Sequence, residues 1–241
     1  MDTLGRLILV PTPIGNLGDL THRAETVLRE ADVIACEDTR HSSRLLQHYE
    51  ITTSKISLHE HNEAMRSDAL ILEMKAGKTV ALISDAGAPT ISDPGQRFLQ
   101  RCLAAGIPYD VLPGPSAVIT ALSGSGLPTD TFYYGGFLPN KSGQRQRILE
   151  TALAREETCV FFESPHRIVR SLDVLANADP ERWVCVAREL TKRHQEFRRE
   201  RAPALHAHYS AHPPKGEITL VIGPSKLPKW FVSSFDDDDD S

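Results

Sequence analysis

Two loops and one polar tetrad hold the residue types best suited to chemistry. SDAGAPTISDPG at 84–95 follows the apolar run TVALI, and LPGPSA at 112–117 comes about twenty residues later. Gly, Ala and Pro at the end of a strand expose backbone N–H and C=O groups without bulky side chains. A flat, polar, adenosine-like ligand needs such a surface for close approach, so the pair of loops predicts a cofactor cleft. EDTR at 37–40 places Glu37, Asp38 and Arg40 directly after the apolar segment DVIAC. A carboxylate beside a guanidinium suits a base or hydroxyl orienter next to a phosphate clamp. The same tetrad also reads as Asp38 capping a helix with Arg40 on the surface, because Asp is a favoured cap. His59, Glu60, His61 and Asn62 divide evenly between substrate contact and structural hydrogen bonding. Glu163, His166 and Arg167 of FFESPHRI lie at a strand terminus, as candidates for substrate contact or as a plain strand entering a Pro-started helix.

Other chemistries find no support. The first apolar run leads into PTPIGNLGD rather than GxGxxG, and neither GxxxxGK[ST] nor GxSxG occurs. HxH pairs stand at His59/His61 and His206/His208, where a strand would put both rings on one face, but no further ligand is indicated and no metal is expected. Cys36, Cys102, Cys159 and Cys185 lie singly in apolar segments and read as buried thiols. The net charge of −5 comes from Asp236 to Asp240; with those set aside, 27 acidic residues meet 27 basic ones. Two basic clusters could face nucleic acid or simply solvent: Lys141, Arg145 and Arg147, and Arg188, Lys192, Arg193, Arg198, Arg199 and Arg201. With 40% apolar and 24% charged residues the composition is that of an ordinary soluble protein. No leader pattern and no apolar run near the roughly 18 residues of a membrane span is visible, so a cytoplasmic chain without a membrane partner is expected.

The elements that must position these residues alternate. Strands are expected at 6–10, 32–38, 55–58, 79–85 and 109–113, with helices from Thr21, from Asp38 or Thr39 to Tyr49, over 62–76, over 96–105 and over 116–122. This βαβ succession predicts an α/β fold whose N-terminal parallel sheet carries helices on both faces and binds ligands outside the carboxyl ends of its strands. GSGLPTD at 124–130 reads as a linker between a domain at 1–123 and another at 131–225, with a tail at 226–241. The second domain offers strands at 131–138, 158–164, 183–189, 195–202 and 217–223 and helices at 143–154 and 166–176. Its two consecutive strands at 183–202 imply a hairpin and hence a mixed sheet. The acidic run from Phe235 to Ser241 is expected to be disordered.

Many blocks in order carry a family resemblance: PTPIGNLGDLTHRAETVLREADVIACEDTR, SLHEHNE, SDAGAPTISDPG, LPGPSAVITAL, GFLP, FFESPHRI, ARELTK and KGEITLVI, together covering about 5–225. The chain resembles the ribosomal RNA ribose-methylating branch of the tetrapyrrole methylase superfamily. The resemblance implies a two-domain enzyme, usually a homodimer, that holds S-adenosylmethionine between its domains and methylates the 2′-oxygen of a cytidine in the decoding centre of 16S rRNA in the small ribosomal subunit. It assigns to the cofactor Pro11, Gly15, Asp85, Gly87, Ala88, Ile91, Ser116, Ala117, Phe162 and Gly216. Beside it, the reading of the residues themselves puts Glu37, Asp38 and Arg40 forward for catalysis and His59, Asn62, Glu163, His166 and Arg167 for substrate contact. The superfamily's Gly-Asp-Pro loop stands here as Gly87-Ala88-Pro89, without its carboxylate, for which Asp85 is the available substitute. Two other readings are a small-molecule methyltransferase of the tetrapyrrole type and a ribosome-binding protein without catalysis.

Overall fold

In the computed structural model, residues 4–59 and 62–233 are described, so Glu60, His61 and the acidic run lie outside the described residues. The chain divides into two units, residues 1–116 and 117–241.

In the first unit, short apolar runs form β1 (Leu7–Leu9), β2 (Val33–Cys36), β3 (Lys55–Ser57), β4 (Val80–Ile83) and β5 (Tyr109–Val111). They pair in parallel in the order β3-β2-β4-β1-β5. Between them come α1 (His22–Glu30), α2 (Thr39–His48), α3 (Glu63–Lys75) and α4 (Gln96–Ala104). Helices α1 and α2 start where a side chain satisfies a first-turn N–H donor: Thr21 Oγ1 accepts from the Ala24 N–H at 3.1 Å, and Asp38 Oδ1 from the Arg40 N–H at 2.8 Å. Because side chains alternate along a strand, Ile8, Ile34, Ala81 and Ile83 pack on one face against Ala24 and Leu28 of α1 and Leu45 and Leu46 of α2. Leu7, Leu9, Ala35 and Leu82 pack on the other against Leu70 and Met74 of α3 and Phe98 and Cys102 of α4. The neighbouring strands β1 and β4 thus send their following helices to opposite faces, the arrangement that opens a crevice at the carboxyl edge of a parallel sheet.

The second unit begins with α5 (Ala117–Ser125), followed by β6 (Phe132–Phe137), α6 (Ser142–Leu153), β7 (Thr158–Glu163), α7 (Ile168–Ala178), β8 (Trp183–Arg188), β9 (Glu196–Arg201), α8 (Ala202–Ala211), β10 (Ile218–Ile222) and α9 (Lys229–Ser233). Its sheet runs β6-β7-β10-β8-β9, with β6 and β7 parallel and the other pairs antiparallel, so the hairpin and the mixed sheet are both present. Helices α6, α7 and α8 bury Leu149, Leu172 and Leu205 against Phe161, Val186 and Leu220.

Three expectations need correction. The unit boundary lies before α5 rather than at 124–130, because Val118, Ala121 and Leu122 are buried where α5 packs on β7 to β10. Helix α8 was not anticipated; it places His206 and His208 on a helix, where neighbours two apart point in different directions. Within the expected tail, 229–233 is helical and Phe231 is buried, its ring 5.5 Å from that of Trp183. Among the described residues no helix is long and apolar enough to cross a membrane.

Phe98 is fully buried beneath β4, so Phe98→Ala is expected to destabilise the first unit by about 3–5 kcal/mol. Urea denaturation followed by circular dichroism should show the loss as a lower midpoint.

Candidate functional site at the carboxyl edge of the parallel sheet

The loops after β1 and β4 are fastened to each other. The Thr12 N–H donates to Gly87 O and the Gly87 N–H to Thr12 O, both at 2.9 Å, in an isolated antiparallel bridge. Buried Thr12 adds a hydroxyl bond to Ser84 O at 3.2 Å, and the Ser84 hydroxyl donates to Gly87 O at 3.3 Å. Gly87 has φ +80, and a Cβ added there would lie 3.5 Å from Ile14 Cγ2 and 3.9 Å from Pro115 O. The glycine therefore keeps open a gap walled by the loops after β1, β4 and β5. Pro11, Asp85, Ala88, Ile91 and Ser116 belong to these same loops. Pro11 is buried under Gly114, and Gly15 and Ile91 are exposed.

A cavity of about 510 Å³ is lined by Glu37, His59, Glu63, Asp93, Gly95 and Arg97 among others, with Asp93 and Gly95 from the same connection after β4 that carries Gly87. Glu37 follows β2 and His59 follows β3, so the parallel register brings both to one edge. Asp93 sits in a loop where Thr90 and Ser92 are left-handed at φ 74 and 60, a conformation that costs non-glycine residues about 1–3 kcal/mol each. Gly95, at φ +109 and with an added Cβ only 2.7 Å from Leu82 Cδ2, lets the loop turn tightly into α4.

The carboxylates here differ in their proton affinity. Asp38 caps α2, and the Arg40 N–H, together with the Arg40 charge, holds its carboxyl below the usual range. Burial, reinforced by the charge of Asp85, pushes Glu37 up. Burial first, then the charge of Glu37, raises Asp93 to about 6, against a lowering contribution from the Ser84 hydroxyl. Asp85 Oδ1 accepts from the Asp38 N–H at 3.3 Å, tying the loop after β4 to the start of α2. Glu63 is buried and accepts from the Phe98 N–H at 2.9 Å. Asp93 and Thr12 are not among the residues nominated from sequence. Asp93 stands inside the quoted SDPG, and its signal was a carboxylate directly before a Pro-Gly turn.

The remaining nominees are placed as follows. Arg40 is exposed. Asn62 is occupied in shaping its own turn: its Oδ1 accepts from the His59 N–H at 2.9 Å and its Nδ2 donates to Ser57 O at 3.2 Å. In the second unit, which begins at Ala117, Phe162 packs against Phe137 and Tyr134. The Glu163 side chain is fully buried, accepting from Ser164 N–H at 2.7 Å, Arg167 Nε at 2.9 Å and Ser171 Oγ at 2.5 Å; it therefore orients Arg167 rather than facing solvent. His166 is exposed and Arg167 half-buried. A Cβ at Gly216 would stand 2.2 Å from Glu189 Oε1, so this glycine makes room for Glu189.

The second basic cluster is largely spent internally. Arg188 pairs with Glu196 at 3.0 Å, Arg198 with Glu200 at 2.9 Å and Lys192 with Glu189 at 2.8 Å. Arg199 donates to the carbonyls of Ser125 and Gly124, and Arg201 covers the Trp183 ring. Arg145 is buried on the carbonyls of Pro139 and Asn140. Burial raises the thiol pKa of each of the four cysteines, Cys102 and Cys185 to about 12, so none is a nucleophile. Among the described residues no cluster able to hold a metal ion occurs.

Known proteins resemble this chain in sequence and in fold. The family model for Tetrapyrrole (Corrin/Porphyrin) Methylases matches residues 6–206. A Synechocystis protein named ribosomal RNA small subunit methyltransferase I is 47% identical over 220 residues, 91% of this chain and 79% of that one. A Vibrio cholerae protein of the same name is 53% identical over 188 residues, 77% of this chain and 65% of that one. Among solved structures, a diphthine synthase superposes with a TM-score of 0.75 at 14% identity, over 97% of this chain and 95% of that one. A Thermus thermophilus uroporphyrin-III C-methyltransferase complexed with S-adenosylhomocysteine superposes with a TM-score of 0.62 at 18% identity, over 96% and 100%.

Replacing buried Glu163 by Ala strands the Arg167 guanidinium and two further donors. Glu163→Ala is expected to cost about 3–5 kcal/mol, read as a lower denaturation midpoint.

Proposed function

Because this chain belongs to the Tetrapyrrole (Corrin/Porphyrin) Methylases family, we propose that it is an S-adenosylmethionine-dependent methyltransferase acting on small-subunit ribosomal RNA. The finer reading is transfer to a ribose 2′-oxygen of a cytidine in the decoding centre of 16S rRNA, by a homodimer in the cytoplasm. The observation that carries the proposal is the Thr12–Gly87 bridge, which joins two loops of small residues at the mouth of the β1/β4 crevice, where the connection after β4 also lines a cavity bearing ionisable groups. The relatives' names supply the RNA class.

The first unit fits such a cofactor. Gly87 adds no side chain of its own to the gap beside Ile14 and Pro115, and the loop of Gly87, Ala88 and Ile91, with Pro11, Gly15 and Ser116, is the surface assigned to a flat polar molecule, its shape fixed by the bonds of Gly87 to Thr12 and of the Ile91 N–H to Ala88 O. Asp85 is a carboxylate within this loop. S-adenosylmethionine supplies an electrophilic methyl group on a sulfonium. The chain must then hold a ribose hydroxyl in line with that methyl, and positioning of this kind can provide ~7–11 kcal/mol of the barrier. Glu37 and His59 line the cavity where the hydroxyl would be held. Arg40, exposed at the first turn of α2, is available for a phosphate, as are His166 and Arg167 in the second unit.

Calorimetry is expected to find one S-adenosylmethionine site per chain, abolished in Ala88→Phe while the circular dichroism spectrum is retained. With labelled cofactor and separate small-subunit, large-subunit and porphyrinogen substrates, label should enter only small-subunit rRNA, at a ribose oxygen whose adjacent phosphodiester resists alkali. Base methylation alone, or label in the porphyrinogen, would refute the reading.

A further inference from the structure

We propose that Asp93 takes the proton from the substrate's ribose hydroxyl during methyl transfer, with Glu37 beside it as the group that holds that hydroxyl. This rests on the reading of the chain as a ribose methyltransferase and assigns the base within that site.

The other carboxylates at this edge have defined duties. Asp38 is the cap of α2, its Oδ1 accepting from the Arg40 N–H at 2.8 Å with Arg40 Nε at 3.6 Å, and both contacts favour the anion and weaken it as a base. Asp85 accepts the Asp38 N–H, and Glu63 the Phe98 N–H. Glu37 and Asp93 remain, both on the wall of the 510 Å³ cavity, a volume within the ~300–1,000 Å³ usual for small-molecule sites. They come from the ends of the neighbouring strands β2 and β4, so a group entering the cavity meets both carboxyls. Asp93 is also carried on a tightly turned backbone in which Thr90 and Ser92 are left-handed.

The groups facing Asp93 tune it for this work. Glu37 after β2 and Asp85 after β4 oppose its ionisation, the Ser84 hydroxyl favours it, and His59 after β3, Glu63 of α3 and Arg97 of α4 complete the wall. Burial and these charges bring Asp93 to about 6, nearer neutrality than an ordinary carboxyl and so a stronger base that is still ionised at pH 7. In the step itself the ribose oxygen bonds to the methyl carbon as the C–S bond breaks. That bond's electron pair stays on sulfur, leaving a neutral thioether. The O–H electron pair stays on oxygen, and the proton passes to a carboxylate oxygen of Asp93 and from there to water.

The test measures single-turnover methylation of small-subunit rRNA by the full chain from pH 5 to 8, alongside S-adenosylmethionine affinity by calorimetry. Because the active form is the carboxylate, the parent rate should rise with pH through about 6 and then level. Asp93→Asn should cut the rate by ~10²–10⁴-fold and remove that rise, with cofactor affinity within a few-fold. Glu37→Gln, which removes the neighbouring charge, should move the rise to lower pH, and this readout remains if Asp93→Asn fails to fold. An Asp93→Asn chain with a rate within a few-fold of the parent, or a rise left in place in Glu37→Gln, would overturn the proposal while the methyltransferase reading stands. A parent that binds cofactor yet methylates no ribose would remove the reading itself.

Discussion

The two hydrogen bonds between Thr12 and Gly87 are the constraint on which the site depends. Neighbouring strands β1 and β4 lead to helices on opposite faces, so their loops would otherwise diverge into solvent. The bridge, antiparallel where the two strands are parallel, joins their loops past the end of the ladder and turns them into a wall. Thr12 can do this because its hydroxyl is satisfied internally on Ser84 O, and Gly87 because a left-handed residue without Cβ lets the chain turn back. A side chain at Gly87 would enter the space that the loops enclose.

Collecting carboxylates at one sheet edge has an electrostatic cost, and the structure distributes it unequally. Asp38 is relieved by the start of α2 and by Arg40, and Glu63 by the Phe98 N–H. Glu37 and Asp93 have less compensation and are pushed toward their neutral forms by burial and by neighbouring charge. A site in which one acid is easily ionised and its neighbour is not separates an anchoring role from a proton-accepting one.

The second unit handles charge in the opposite way. Arg188, Lys192, Arg198, Arg199 and Arg201 are engaged by glutamates, by carbonyls and by the Trp183 ring, which ties β9 to β8 and to α5. Buried Glu163 likewise organises Arg167, Ser171 and the Ser164 N–H at the end of β7. Cationic side chains clustered in sequence thus became internal partners, because antiparallel pairing of β8 with β9 set Arg188 directly opposite Glu196.

The sequence by itself determined the parallel sheet, its two-faced covering, the second sheet's hairpin and the location of the small-residue loops, because these follow from local periodicity and from Gly and Pro placement. It also named Glu37 and Asp38, which directly follow a readable strand whose parallel register puts them at the ligand edge, whereas Asp85 entered through the family resemblance and His59 stood evenly between substrate contact and structural bonding. Helix α8 was not legible because its apolar positions, Ala202, Leu205 and Tyr209, are sparse and follow a charged strand without a clear break. Only the tertiary structure decided which charges remain available: that Glu163 is enclosed, that the Arg198–Arg201 stretch is paired, that Asn62 shapes a turn, and that Asp93 shares a cavity with Glu37. These outcomes depend on burial and on partners far apart in the chain, neither of which a linear pattern of residue types records.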